Sequence, residues 1–283
     1  VFSNGSGRWS GVGFVVVSGK EAGHMRVVAI IQARMGSTRL PGKVLEDLGG
    51  RTMLARVVRR TRRSAALDEV VVATSTSVQD DPIVAECRRL GIGCFRGSEA
   101  DVLDRYFRAA EACRAGTVVR ITSDCPLIDW GVIDRVVSAF QQHQPDYASN
   151  TLVRTYPRGL DTEVVALEAL ARAWSEAREP YQRVHVTPYL YQHPELFRPL
   201  PVTGEQDASG SRWTVDTAED LQFVRTVYER FGGTDRFSWQ DAWTLVAREP
   251  ELAEINARVE HKRMEDESLE LPAPPEARQR LAG

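Results

Sequence analysis

The chain has 283 residues, 42% of them hydrophobic and 27% charged, with a formal net charge of −3. That length buries a full core, as one large or two small domains, and the interspersed charges exclude the kind of field that holds nucleic acid nonspecifically. Four cysteines (Cys87, Cys94, Cys113, Cys125) without a C-x-x-C pair, and five scattered histidines, argue against a disulfide framework or a zinc site and fit a reducing cytoplasm.

In the first 24 residues the one apolar run, Phe14 to Val17, is far short of the ~20 residues a membrane span needs, and no A-x-A cleavage site follows. Residues 1–24 therefore read as a flexible leader, or an upstream start ahead of Met25, that the fold does not need. The β-branched run from Val27 predicts a buried parallel strand, which breaks into the loop ARMGSTRLPGK at residues 33–43. A loop at the carboxyl end of such a strand can aim amides at an anion, and Arg34, Arg39 and Lys43 add three cations. Lys43 is one of only three lysines among 36 basic residues, which suggests a need for a compact point charge. Two familiar phosphate cradles are excluded by spacing. Five residues separate Gly36 from Gly42 where a Walker A loop has four, Val44 replaces its Ser or Thr, and Gly11 and Gly13 are followed by Val16 rather than the third glycine of a dinucleotide fingerprint.

Downstream, Met53, Leu54, Val57, Val58 and Thr61 fall at helical spacing before a strand at Val70 to Ala73. A second helix from Asp80 to Leu90 ends at Gly91, ahead of a short strand at Cys94-Phe95. A third carries the stripe Val102, Leu103, Tyr106, Phe107, Ala110 and Cys113, and Gly116 precedes the strand Thr117 to Ile121. This alternation predicts an α/β fold, a mostly parallel sheet with helices on both faces. Beyond Asp146 the pattern loosens: strands at Tyr147 to Val153 and Leu160 to Ala166 flank a loop of cations and turn formers, Arg154 to Gly159. A helix from Leu167 closes at Glu179-Pro180, Arg212 to Val215 predicts a late strand, and Thr217 to Asp220 opens a helix with a capping box. A last helix over Trp239 to Arg263 precedes an acidic, proline-rich tail, residues 264–283, expected to be disordered.

Asp124 follows the Thr117 strand, so it projects at the same end of the sheet as the cationic loop. A lone aspartate there suits magnesium, which takes one or two carboxylates plus phosphate oxygens; it equally suits capping of the Asp-Cys-Pro turn. Asp216 is the candidate second carboxylate, or a helix N-cap.

The segment IIQARMGSTRLPGKVLEDLGGRTML resembles the opening of the sugar-activating cytidylyltransferases, in the branch named after the spore coat polysaccharide biosynthesis protein SpsF, whose relatives include the CMP-Kdo and CMP-sialic acid synthetases. DDPIVAECRRLGI, FRGSEADVLDRY, VVRITSDCPLID, RTYPRGLDTEV, EPYQRVHVTPYLY and RWTVDTAEDL extend the resemblance over about residues 26–262. One departure is Ser123, where the branch usually has glycine. The resemblance implies a Rossmann-like nucleotide-diphospho-sugar transferase fold of the GT-A type over residues 25–263, and a cytoplasmic enzyme, active as a homodimer, that uses CTP to convert a sugar acid into a CMP-sugar and pyrophosphate for surface polysaccharide. It implies catalytic roles for Arg39, Lys43 and Asp124, with Mg²⁺ on Asp124 and Asp216. Ala33, Arg34, Met35, Gly36 and Ser37 would bind the nucleotide, with Thr74, Ser75, Arg96 and Ser98 at the base. Arg154, Tyr156, Arg158, Asp161, Arg183 and His185 would form the sugar site, where guanidinium groups clamp a carboxylate and Asp161 accepts from hydroxyls; Arg183 and His185 equally suit a subunit interface. The other functions open to the chain are a glycosyltransferase using a preformed nucleotide sugar, a nucleotidyltransferase for another base, and a non-catalytic nucleotide-binding module.

Overall fold

The computed structural model describes residues 25–260 and, as backbone, Arg8–Trp9. Its centre is the strand β2 (Val27–Gln32), whose first five residues are buried. Around it lie β3 (Glu69–Ser75), β4 (Gly93–Gly97), β5 (Thr117–Thr122), β6 (Tyr147–Ser149), β7 (Glu163–Ala166) and β8 (Pro199–Pro201), with β1 (Arg8–Trp9) on the outer edge. The order across the eight-stranded sheet is β1-β4-β3-β2-β5-β7-β6-β8. The neighbours β4, β3, β2 and β5 are all parallel, in keeping with the continuous apolar runs of β2 and β3 at their centre. β7 pairs antiparallel with both β5 and β6, so the sheet is mixed on that side.

Helices α1 (Met53–Thr61), α2 (Asp81–Leu90) and α4 (Trp130–His143) cover one face; α3 (Val102–Ala112), α5 (Leu167–Glu176), α6 (Pro180–His185) and α7 (Pro188–Gln192) cover the other. A third apolar cluster joins α8 (Ala218–Arg230), α9 (Trp239–Arg248) and α10 (Glu251–Glu254) to Leu48, Leu160, Trp213 and Val215, and walls one side of the carboxyl end of the sheet. α1 locks this layer in place through two fully buried arginines. Arg56 donates to the carbonyls of Leu48, Gly49 and Gly233 and pairs with Asp235; Arg60 donates to those of Ile128 and Phe237. A guanidinium offers five donors in a fixed fork, so such burial is tolerated where carbonyls converge.

Several boundaries differ from the sequence expectations. α4 was not anticipated, although Val132, Ile133, Val136, Val137 and Phe140 are buried at helical spacing. Pro180 opens α6 behind a Glu179 cap instead of closing α5, because proline is tolerated at a first helical position. The strands expected at Tyr147 to Val153 and Leu160 to Ala166 are shorter, and Arg212 to Val215 forms no strand, only a single bridge to Arg158. The helix expected to run from Trp239 breaks before Pro250, and its last residues, with the 264–283 tail, lie outside the described residues. So do residues 1–24 apart from Arg8–Trp9, which pair with Arg96 and Phe95 at the β4 edge where no strand was expected. No helix among the described residues is long and apolar enough to cross a membrane.

Candidate active site

β2 delivers the chain into residues 33–42, a loop closed on itself at Met35, whose carbonyl accepts from the amides of Ser37 (2.9 Å) and Gly42 (2.9 Å). The closure needs Gly42 at φ 73°, a left-handed conformation that side chains rarely adopt. At Gly36, a Cβ would meet nothing within 4 Å, so that side of the loop is open to a ligand. Ala33 continues the strand through its bond to Ala73, whereas the amides of Gly36, Thr38 and Arg39 donate to no acceptor among the described residues. Asp80 braces the loop from outside: its carboxylate accepts from the Met35 amide (2.7 Å) and from the Ser75 amide (3.2 Å) and hydroxyl. Sequence reasoning did not single out Asp80; its one signal was the Asp-Asp-Pro start of α2.

Lys43 follows the loop, 8% exposed, and its ammonium is the hub of the site. It donates to Asp124 Oδ2 (3.0 Å), Asp216 Oδ1 (2.9 Å) and the Val215 carbonyl (2.7 Å). Arg39 reaches the other Asp216 oxygen at 3.0 Å. Burial opposes the charge on Lys43, yet the two carboxylates raise its pKa above that of ordinary lysine. Burial would likewise raise Asp124, but the adjacent ammonium holds it down at about 2. Asp216 is also lowered, with Lys43 and Arg39 outweighing burial and the repulsion from Asp124. Thr217, not Asp216, caps α8, so the Asp216 carboxylate is left for the site.

The strap Arg212 to Asp216 ties this centre to the cationic loop. Its Val215 amide donates to the Asp124 carbonyl (2.8 Å), and its Trp213 amide donates to the Arg158 carbonyl (2.7 Å). Gly159, at φ 111°, lies so close to the strap that a Cβ would come within 2.6 Å of the Trp213 carbonyl carbon. Arg154 grips Asp161 with two hydrogen bonds (2.6 and 3.0 Å). Arg158 makes no ion pair or side-chain hydrogen bond among the described residues. Burial and the neighbouring Arg154 lower its pKa. Asp124 and Asp161 both act on the buried Cys125 thiol, which burial raises well above its ordinary value, so the cationic loop borders the Lys43 centre.

The remaining expected residues are dispersed. Thr74 and Ser75 are fully buried, and the Ser75 hydroxyl is committed to Asp80. Arg96 holds the carbonyls of Ser75 and Ser77 and pairs with Asp81. Ser98 accepts from the Asp101 amide, and Arg34 stands exposed in the open loop. Tyr156 is buried in the C-terminal layer, edge-on to Trp239, and lines a separate cavity of about 530 Å³ with Trp130 and Arg135. Arg183 is spent on Asp101 and the Trp174 carbonyl, a brace between α6 and α3. His185 lies on the opposite sheet face, near Arg120 and Glu163, where burial and the Arg120 charge press its pKa down to about 4. The ion pair between Arg120 and Glu163, to which Tyr147 also donates (2.7 Å), was not anticipated, nor was Arg212, which bridges Asp216 (2.8 Å) and Asp220 (2.8 Å). The Arg120–Glu163 pair joins residues 43 positions apart, which no local motif announces, whereas Arg212, Asp216 and Asp220 all lie within RWTVDTAEDL, whose spacing was not read as an ion-pair network.

The family model described as Cytidylyltransferase matches residues 28–232. The spore coat polysaccharide biosynthesis protein SpsF of Bacillus subtilis is 37% identical over 234 residues, covering 80% of this chain and 96% of that protein. The 3-deoxy-manno-octulosonate cytidylyltransferase of Anaeromyxobacter dehalogenans is 31% identical over 229 residues, covering 73% and 91%. Among solved structures, a cytidylyltransferase from Leptospira borgpetersenii superposes with a TM-score of 0.80 at 35% identity, over 84% of this chain and all of that one. With an open loop of unpaired amides leading to a lysine that joins two aspartates, and with that agreement along most of its length, the chain belongs to the cytidylyltransferase family.

Proposed function

We propose that the protein transfers the cytidylyl group of CTP to an oxygen of a sugar acid, releasing pyrophosphate, in a pathway that builds a surface polysaccharide. The observation that carries this reading is the Lys43 ammonium between Asp124 and Asp216, at the mouth of a loop with unpaired amides. The acceptor oxygen attacks the α-phosphorus, the bond to the β-phosphate oxygen breaks, and the acceptor's proton passes to solvent. The loop amides and Arg39 hold the triphosphate, and Lys43 carries positive charge to the side where pyrophosphate leaves. Arg158, which makes no ion pair among the described residues, meets the acceptor carboxylate, while Arg154 and Asp161 fix the loop that carries it. No residue has to form a covalent intermediate; positioning and electrostatics account for the rate.

Magnesium fits the donor set: two depressed carboxylates with phosphate oxygens are what that ion takes, though among the described residues no group of three or more His, Cys, Asp or Glu could hold a metal unaided. Asp124 and Asp216 would hold it, and it would neutralise charge on the phosphates. The names of two relatives, a spore coat polysaccharide protein and a 3-deoxy-manno-octulosonate cytidylyltransferase, support a sugar-acid acceptor and a polysaccharide end use. The test is pyrophosphate release with each of the four nucleoside triphosphates against a panel of sugar acids. Turnover confined to CTP and an acid is expected; turnover only with another triphosphate, or only with neutral sugars, would overturn the reading.

A further inference from the structure

Behind Asp216 runs a line of buried polar contacts that ends outside the segment matched by the family model, which stops at residue 232. Arg212 Nη2 donates to Asp216 Oδ2 at 2.8 Å and to Asp220 Oδ2 at 2.9 Å, while its Nε donates to Asp220 Oδ1 at 2.8 Å. Asp220 is fully buried, and its Oδ2 also accepts from the amides of Asp216 (2.9 Å) and Thr217 (3.1 Å). The last donor to this carboxylate comes from the far end of the chain. Asn256, just past α10 and 5% exposed, turns Nδ2 to Asp220 Oδ1 (2.9 Å) and to the Arg212 carbonyl (3.0 Å). A carboxylate and a carbonyl can only accept, so the amide nitrogen has to face them, and both its hydrogens are used.

We propose that Asn256 is a positioning residue for the transfer reaction: by fixing Asp220, and through it Arg212, it sets the angle at which Asp216 meets Lys43. The inference rests on the role given to Asp216 above. Physically, Asp220 Oδ1 has two donors, Arg212 Nε and Asn256 Nδ2. Remove the second, and Oδ1 keeps only Arg212 Nε, so the carboxylate can pivot about Oδ2, which the Asp216 and Thr217 amides still hold, and shift the guanidinium against Asp216. Hydrogen bonds to charged groups are the strong ones in a buried network, so the effect should reach the chemistry and not stop at the fold.

The experiment compares the full chain with Asn256→Ala and Asn256→Asp; the second places an acceptor against two acceptors. Pyrophosphate release should show kcat lower by about 10-fold for Asn256→Ala, and by more for Asn256→Asp, with KM for CTP within about 2-fold. Mn²⁺ affinity of the CTP-loaded protein, followed by electron paramagnetic resonance, should weaken by a similar factor. A merely structural residue would lower the melting temperature and leave kcat and Mn²⁺ affinity of the folded protein unchanged, and that result overturns the proposal. If Asn256→Asp does not fold, Asn256→Ala decides alone. Failure of the CTP reading would show differently, as a wild type without turnover. Mn²⁺ affinity of wild type against Asn256→Ala, measured with whichever triphosphate binds, then still supports or refutes the positioning role.

Discussion

Replacing Lys43 with Met keeps the apolar stem of the side chain and deletes the charge that joins Asp124 to Asp216. Lys43 is 10% and Asp124 28% exposed at the side chain, so solvent screens the pair only partly. Asp124 falls from an ordinary 3.8 to about 2 against the opposing pull of burial, with Lys43 as the main favourable cause. A depressed carboxylate stabilises the fold above its unfolded pKa, and that contribution disappears as the pH drops from about 4 towards 2; it amounts to about 2 kcal/mol at neutral pH. In Lys43→Met this contribution goes, and the two carboxylates are left facing each other without the ammonium between them, Asp216 alone keeping cationic partners in Arg39 and Arg212. We expect a total loss of roughly 3–5 kcal/mol, the range for breaking one side of a buried pair, and a fall in Tm on the order of 10 °C. The same two carboxylates then become a better cation site. In the wild type a divalent ion has to displace two charge-assisted hydrogen bonds from Lys43, each worth roughly 1.5–3 kcal/mol. Without nucleotide, Lys43→Met should therefore bind Mn²⁺ at least about 10-fold more tightly than wild type, and Mn²⁺ should restore part of its lost Tm. Calorimetric melts at pH 7 and Mn²⁺ titrations read by paramagnetic resonance measure both. Equal Mn²⁺ affinity in the two proteins, or equal melting, would refute the reasoning.

Three further outcomes are expected. Asp124→Asn should keep the circular dichroism spectrum and lose at least about 100-fold of magnesium-dependent turnover; wild-type rates at saturating magnesium would return Asp124 to a turn-capping role. The depressed pKa of His185, about 4 against an ordinary 6.5, means the unfolded chain binds its proton first, so stability is lost as pH falls from 6.5 towards 4. By pH 5 the loss should reach about 2 kcal/mol at most, and His185→Gln should flatten it in melts at pH 7 and 5; an unchanged pH slope would count against a half-buried neutral imidazole. Arg158→Ala should lower kcat/KM on a sugar acid by several kcal/mol of ΔΔG‡ and leave its amide little changed, because Arg158 makes no ion pair among the described residues that the substitution would break. Wild-type activity that is equal on acid and amide would show that these arginines serve another purpose.

The parallel half of the fold was readable because its signals are local. Strands β2, β3 and β5 are buried on both faces, so their β-branched runs stand out, and the helices between them carry single apolar stripes ended by residues such as Gly91 at φ 59°. Asp124 and Asp216 were legible for a related reason: each follows an apolar run and precedes a turn or helix start. What the sequence hid is what tertiary structure decides. Trp213, Thr214 and Val215 are all buried like a strand, yet their amides serve different partners, so no ladder forms. Tyr156 and Arg183 have the side chains a sugar site would use, but one fills the C-terminal core and the other finds Asp101, 82 residues away. Arg56 and Arg60 look like the solvated face of a helix until the carbonyls that surround them are known. α4 is the one omission for which the apolar spacing was already in the sequence.

The contact of Gly159 with the Trp213–Thr214 backbone bears on how such an enzyme can change its acceptor. Because the Arg158 loop, the strap and the Asp124 turn are stitched by main-chain bonds, they cannot be shifted one at a time. Lengthening or shortening the loop at residues 154–159 would drag Asp216 away from Lys43 and cost activity on every acceptor alike. Exchanging the side chains of Arg154 or Arg158 leaves those main-chain bonds in place. On the proposal that Arg158 meets the acceptor, selection for a new one is therefore channelled into point substitutions at those positions.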